Sequence, residues 1–200
     1  MTQHLLPDMD LAFTAHLRNC FLIREPGRIL ASYAKVRPQF TLEELGFPQQ
    51  FELFKRECDR LGVPPPVLDA STTLSDPEGV LRALCDALAI PFEDNMLSWP
   101  AGPRASDGVW APYWYTRVLA SHGFDSPSGQ EALSKGLGRP GLNAKELDAD
   151  AKELNAKGSD AQRPDAADAL KTLTAGQCAM AARADAFYQE LRPFALTPVT

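Results

Sequence analysis

Positive charge is in short supply. The chain's 200 residues hold 20 lysines and arginines against 26 aspartates and glutamates, a net charge of −6. That argues against a nucleic-acid-binding surface, which needs a basic face. Cysteine is sparse as well. Cys20, Cys58, Cys85 and Cys178 are widely spaced and none stands in a Cys-x-x-Cys pair, so a zinc site is not expected. The first residues, Met1-Thr-Gln-His-Leu-Leu-Pro7, have no basic region and no long apolar stretch, so no secretory signal is read there. Nor does any apolar run approach the roughly 18 residues that a membrane span requires. The expectation is a reduced cytoplasmic protein without membrane or nucleic-acid partners. Hydrophobic residues at 44% and charged residues at 23% supply an ordinary core and surface for one domain.

Strands and helices alternate along the first half. The apolar run Asn19-Cys-Phe-Leu-Ile23 ends at Arg24, and Pro26-Gly27 then suits a turn into a helix. Ile29, Leu30, Tyr33 and Val36 recur at helical spacing. Thr41 and Glu44 fit a capping box, Gly46–Pro48 marks an irregularity, and Gly62 can end the helix that follows. Val67 and Leu68 read as a short strand. Asp76-Pro77 is a strong helix start, with Val80, Leu81, Leu84 and Leu88 as its buried face. This order implies an α/β layer fold with a largely parallel sheet.

After Phe124 the character changes. Residues 125–165 contain no aromatic side chain and read as a solvated linker or insertion; Leu142-Asn-Ala-Lys145 recurs as Leu154-Asn-Ala-Lys157 without making a repeat architecture. Residues 166–200 regain a helical pattern through Leu170, Leu173, Phe187 and Leu191. The expected organisation is a domain over 1–124, a linker over 125–165 and a C-terminal helix and tail over 166–200.

The segment Phe21-Leu-Ile-Arg24-Glu-Pro-Gly-Arg-Ile-Leu-Ala-Ser32-Tyr33 carries the clearest chemistry. Ligands in open α/β sheets bind at the carboxyl ends of the strands, where Arg24 stands. A guanidinium grips a phosphate through two parallel hydrogen bonds, and a serine hydroxyl such as that of Ser32 can add a third. The same residues also fit a strand-end arginine paired with Glu25 or Asp69, with Ser32 facing backbone.

The pattern Arg24-x-Pro26-x-x-x-x-x-Ser32 after an apolar strand resembles the 3′-phosphate-binding motif of sulfotransferases that use 3′-phosphoadenosine 5′-phosphosulfate (PAPS). Three further stretches are similar to that family in the same order: Val67-Leu-Asp-Ala70, then Asp76-Pro-Glu-Gly-Val-Leu81 leading to Leu88-Ala-Ile-Pro91, then Arg104-Ala-Ser-Asp-Gly108-Val-Trp110. The last resembles the family's Arg-Lys-Gly-x-x-Gly-x-Trp loop, without its Lys-Gly pair and one residue shorter. The resemblance covers about residues 4–124. It implies an α/β, parallel-sheet, P-loop-NTPase-like sulfotransferase fold with a helical C-terminal tail. PAPS is the implied co-substrate, held by Arg24, Ser32, Arg104 and Gly108, and the acceptor is a small molecule bearing a hydroxyl or an amine. His4 corresponds to the base that takes the acceptor's proton, a task suited to a group with a pKa of roughly 6.5; a solvent-exposed histidine is the plainer alternative. The family's first strand and its Gly/Arg/Ser/Thr loop for the 5′-phosphosulfate have no counterpart here, and Ser134-Lys-Gly-Leu-Gly-Arg139 does not replace them. The chain is therefore expected to be N-terminally truncated and inactive alone, with an unpaired sheet edge through which copies could associate. The alternative is a non-catalytic nucleotide-binding or protein-interaction module of the same descent.

Overall fold

The computed structural model of the chain describes residues 2–5, 8–109, 111, 115–124 and 171–199. The expected linker over 125–165 lies outside the described residues, as do Leu170, Trp110 and Trp114.

Strand β1, Phe21–Ile23, turns at Arg24-Glu25 into helix α1, Pro26–Val36. Proline opens the helix because its missing N–H is one that a first turn leaves unbonded in any case. The Thr41–Glu44 capping box forms as expected: Glu44 N–H donates to Thr41 Oγ1 at 3.2 Å and Thr41 N–H donates to Glu44 Oε2 at 2.8 Å. It starts the single turn α2, Leu42–Leu45, which Gly46 ends at φ 78°. Helix α3, Phe47–Leu61, follows at once and ends at Gly62 with φ 72°. Strand β2, Val67–Asp69, leads directly into α4, Ala70–Ser75, and then α5, Pro77–Leu88, capped by Asp76, whose Oδ1 accepts from Gly79 N–H at 2.9 Å. Short helix α6, Thr116–Ala120, and the long α7, Ala175–Leu191, complete the described helices.

The two strands run parallel, pairing Phe21 with Val67, Leu22 with Leu68 and Ile23 with Asp69. On the far side of β2, Ala195 forms a parallel bridge with Val67, and Leu196 N–H donates to Val67 O at 2.8 Å. The C-terminal tail thus extends the sheet. The other edge is open among the described residues. Phe21 N–H donates to Pro66 O at 2.9 Å, so the backbone groups of the next residue, Leu22, point away from β2. The Leu22 carbonyl accepts instead from Gln50 Nε2 on α3 at 2.9 Å, and the Leu22 side chain is 61% exposed.

Helix α7 closes the core. Tyr188 and Leu191 join Phe21, Ile23, Phe54 and Val67 in one buried cluster, while Ala181 and Ala184 join Leu30, Leu42 and Phe47 in a second. Small residues on this face of α7 let its backbone approach α1 closely. Gln177 serves both ends of the junction: its Oε1 accepts from Thr174 N–H at 3.0 Å and its Nε2 donates to Pro38 O at 3.0 Å.

Helix α7 begins at Ala175, after the Thr174 cap, and residues 166–170 of the expected C-terminal segment lie outside the described residues. One expectation needs correction. On α5 the fully buried positions are Gly79, Val80, Ala83 and Cys85, whereas Leu81, Leu84 and Leu88 are half-buried. The tail decides this rotation. Val199 N–H donates to Gly79 O at 3.2 Å, and a Cβ on Gly79 would lie 2.8 Å from Pro198 Cβ and 2.9 Å from Val199 O.

The N-terminal segment is held by a buried carboxylate. Glu57 on α3 accepts from Thr14 Oγ1 at 3.2 Å, from Asn19 Nδ2 at 2.9 Å and from Arg60 Nε at 3.1 Å. Burial alone would raise its pKa; the donors from Arg60, Asn19 and Thr14 outweigh that and hold it below the ordinary value.

The turn after α5 contains Ala89 at φ 50°, a left-handed conformation that a β-carbon disfavours. Arg18 Nη1 helps to hold the turn by donating to Leu88 O and, at 3.2 Å, to Ala89 O. Ala89→Gly is expected to stabilise the fold by about 0.5–1 kcal/mol, because glycine adopts this conformation without the steric term. Urea unfolding checks it, and a loss of stability would show that the strain is already relieved by the Arg18 contacts.

Candidate functional site

Asp69 ends β2 opposite Ile23, the last residue of β1, and Arg24 and Glu25 follow in the turn to α1. Glu25, the residue before α1, gives no side-chain cap; its carboxylate accepts from Arg28 Nε at 2.7 Å. Asp69 is 5% exposed and fully engaged. Its Oδ1 accepts from Ser71 N–H at 2.9 Å, from Thr72 N–H at 3.1 Å and from the Ser71 hydroxyl. Its Oδ2 accepts from Tyr188 Oη at 2.8 Å. Burial pushes this carboxyl's pKa up, but the donors from Ser71, Tyr188 and Thr72 win, and the net shift is downward. Burial and then the bond to the Asp69 carboxylate raise the Tyr188 pKa far above that of a free phenol. Glu25 pairs with Arg28, and Asp69 bonds Tyr188 and the start of α4.

Two clefts open around the β1–α1 turn. The smaller, about 330 Å³, is walled by Arg24, Ile29, Phe47, Phe51, Leu74 and Phe187, so Arg24 borders a largely apolar and aromatic space. The larger, about 680 Å³, contains Glu25, Asp69, Ser71, Asp185 and Arg192. Tyr188 lines both.

Of the five residues singled out from sequence, Arg24 lines the smaller of these two clefts and the others line neither. Ser32 is exposed, six positions beyond Pro26 on α1 and so about 9 Å along the helix axis from its start. His4 is exposed on the 3-10 turn Thr2–His4, which docks on the α2–α3 junction through Thr2 Oγ1 donating to Gly46 O at 3.0 Å. Arg104 is exposed in a tight turn, its N–H donating to Asp107 Oδ2 at 2.8 Å. Gly108 is exposed too, and a Cβ there would meet nothing within 4 Å. Asp69 and Tyr188 were missed as a pair. Asp69 had a readable cap pattern, Asp-x-Ser-Thr; nothing near Tyr188 in the chain points to a partner 119 residues away.

The sulfotransferase domain family matches residues 1–136. The chain belongs to this family. A stretch of 110 residues is 48% identical to the branched-chain-amino-acid aminotransferase-like protein 1 of Arabidopsis thaliana, covering 55% of this chain and 20% of that protein. The like-named protein 2 of the same plant is 44% identical over 110 residues, or 55% of this chain and 19% of its own length. The chain thus spans about a fifth of the length of these curated relatives. No solved structure matches it. A sulfotransferase domain implies a sulfuryl donor such as PAPS. Helix α7, with Tyr188 and Leu191, lies beyond the matched residues yet completes this sulfotransferase domain's core. No described helix is long and apolar enough to cross a membrane.

Proposed function

We propose that this sulfotransferase domain binds the 3′-phosphate side of PAPS through Arg24 and serves sulfuryl transfer to a hydroxyl or amine acceptor, within a P-loop-NTPase-like fold. The observation that carries the reading is Arg24 at the carboxyl end of β1, on a cleft walled by Phe47, Phe51 and Ile29. The donor set suits a phosphate attached to a flat apolar ring system. The guanidinium supplies paired hydrogen bonds, and the apolar wall lowers the local dielectric and strengthens them. PAPS, when bound, supplies the sulfuryl group. Neither cleft presents, among the described residues, a glycine-rich loop for the 5′-phosphosulfate, and His4, Ser32, Arg104 and Gly108 line neither. That scatter favours a second reading, a non-catalytic nucleotide-binding module built into longer proteins.

Calorimetry with adenosine 3′,5′-bisphosphate and adenosine 5′-monophosphate tests the Arg24 site, since the two ligands differ in the 3′-phosphate. The bisphosphate is expected to bind more tightly, and Arg24→Ala to weaken it by roughly tenfold or more, the worth of a charge-assisted hydrogen bond. Equal binding of both ligands, or an unaffected variant, would remove the site. The 200-residue polypeptide assayed alone is expected to turn over no PAPS above a heat-killed control, because preorganised donors at the transferring group supply the largest catalytic contribution. Clear turnover on a broad acceptor panel would exclude the non-catalytic reading.

A further inference from the structure

The walls of the Arg24 cleft come from distant stretches of the chain. Helices α1 and α3 give Ile29, Phe47 and Phe51, the start of α4 gives Ala70 and Leu74, and α7 gives Phe187 and Tyr188. The α7 residues lie beyond residues 1–136, which the family matches. The shape of such a cleft depends on the joints between its walls.

Two kinds of joint hold α7 there. One is apolar packing: Leu191 is buried with Phe21, Ile23 and Phe54, and the Phe187 and Phe51 rings have centroids 5.5 Å apart. Such contacts are non-directional and leave a helix some freedom to slide or roll. The other joint is directional. Tyr188 Oη donates to Asp69 Oδ2 at 2.8 Å, and both residues are buried. Asp69 is itself fixed by the Ser71 and Thr72 N–H groups at the start of α4. The bond therefore ties the α7 wall to the α4 wall. Gln177, which donates to Pro38 O, stands about 16 Å back along the helix axis, too far to steady this end. Burial and the Asp69 carboxylate raise the Tyr188 pKa, so the phenol stays a donor through the neutral range.

We infer that Tyr188 is a positioning residue for the Arg24 cleft: its bond to Asp69 sets the spacing of the α7 and α4 walls, and that spacing decides how tightly the cleft holds an anion carried on a flat ring. Preorganised walls cost a ligand less ordering on binding, so loosening one wall lowers affinity without removing any contact group. That the anion belongs to PAPS rests on the reading above; the dependence on Tyr188 rests on the geometry of the cleft. The C-terminal helix then tunes a site whose arginine lies within the family match.

The test is calorimetry of the full chain with 1-naphthyl phosphate, a phosphate on a flat apolar ring, at a temperature where circular dichroism shows the proteins folded. Wild type is expected to bind it, and Arg24→Ala to weaken it by roughly tenfold or more, which places the probe in this cleft. Tyr188→Phe keeps the ring that lines the cleft and removes the bond; it is expected to weaken binding by roughly fivefold or more. Asp69→Ala breaks the same bond from the other end and is expected to do likewise, so either variant alone decides the point if the other does not fold. Val80→Ala truncates a fully buried side chain that lines neither cleft, and it is expected to bind as wild type does. That control separates the shape of the cleft from a general loss of stability. No binding to wild type, binding that survives Arg24→Ala, wild-type affinity in Tyr188→Phe or Asp69→Ala, or an equal loss in Val80→Ala overturns the inference. Adenosine 3′,5′-bisphosphate is titrated separately. If it fails to bind while the naphthyl probe depends on Tyr188, the PAPS reading fails and the positioning role stands. If it binds through Arg24 and neither ligand responds to Tyr188→Phe, the positioning role fails and the PAPS reading stands.

Discussion

Leu191→Ala is expected to destabilise the fold by about 2–5 kcal/mol, the range for truncating a fully buried leucine. Leu191 ends α7 and is 1% exposed. Its side chain belongs to the cluster formed by Phe21, Ile23, Phe54 and Val67, which holds both strands against α3. Removing it takes away transfer free energy and leaves a cavity against two strands of three residues each, which have little freedom to collapse. The loss would be read as a lower denaturant midpoint at unchanged slope. A change under about 1 kcal/mol would mean that α7 docks loosely and that the core is complete without it. Because α7 lies beyond the family match, the same measurement reports how much of this domain's stability comes from outside the matched residues.

The second large effect is expected at Asp69. Asp69→Ala removes the cap of α4 and leaves the buried Tyr188 hydroxyl without its acceptor, together about 2–4 kcal/mol. Tyr188→Phe should cost less, about 1.5–3 kcal/mol, because the carboxylate keeps its donors from Ser71 and Thr72. The pH dependence separates the two. The folded-state pKa of Asp69 lies below its ordinary value, so its contribution is fully present above the ordinary aspartate pKa of about 4 and is lost as pH falls through the depressed folded value. Glu57 acts in the same direction. Wild type is therefore expected to lose stability steadily from roughly pH 5 downward. Asp69→Ala should show a shallower slope there, with Glu57's share remaining. An unchanged slope in the variant would mean that Asp69 is not held ionised by these donors.

The part of the site nearest the chain's own local grammar was legible. Arg24 follows an apolar strand and precedes Pro26-Gly27, and it stands where that order puts it, on a cleft at the strand's end. Ser32 shows the boundary of such reading. Spacing places it on α1, but which way the helix turns depends on what packs against it, and α7 covers the face of Leu30 and leaves Ser32 exposed. Arg104 and Gly108 sit in an exposed turn whose nearest partners, Asp107 and Pro100, are local.

What the sequence by itself determined was the succession of elements and their ends. Thr41 with Glu44, Gly46, Gly62 and Asp76-Pro77 set helix boundaries because a cap satisfies N–H or carbonyl groups within a few residues, and left-handed ends such as those at Gly46 and Gly62 favour glycine. What only the tertiary structure decided was which faces those elements bury and which distant residues meet. The tail crossing Gly79 turned α5 toward its small residues, and α7 brought Tyr188 to Asp69 across 119 positions. Such pairings follow from close packing between elements, and packing is a property of surfaces in contact, which a local pattern of residues does not carry.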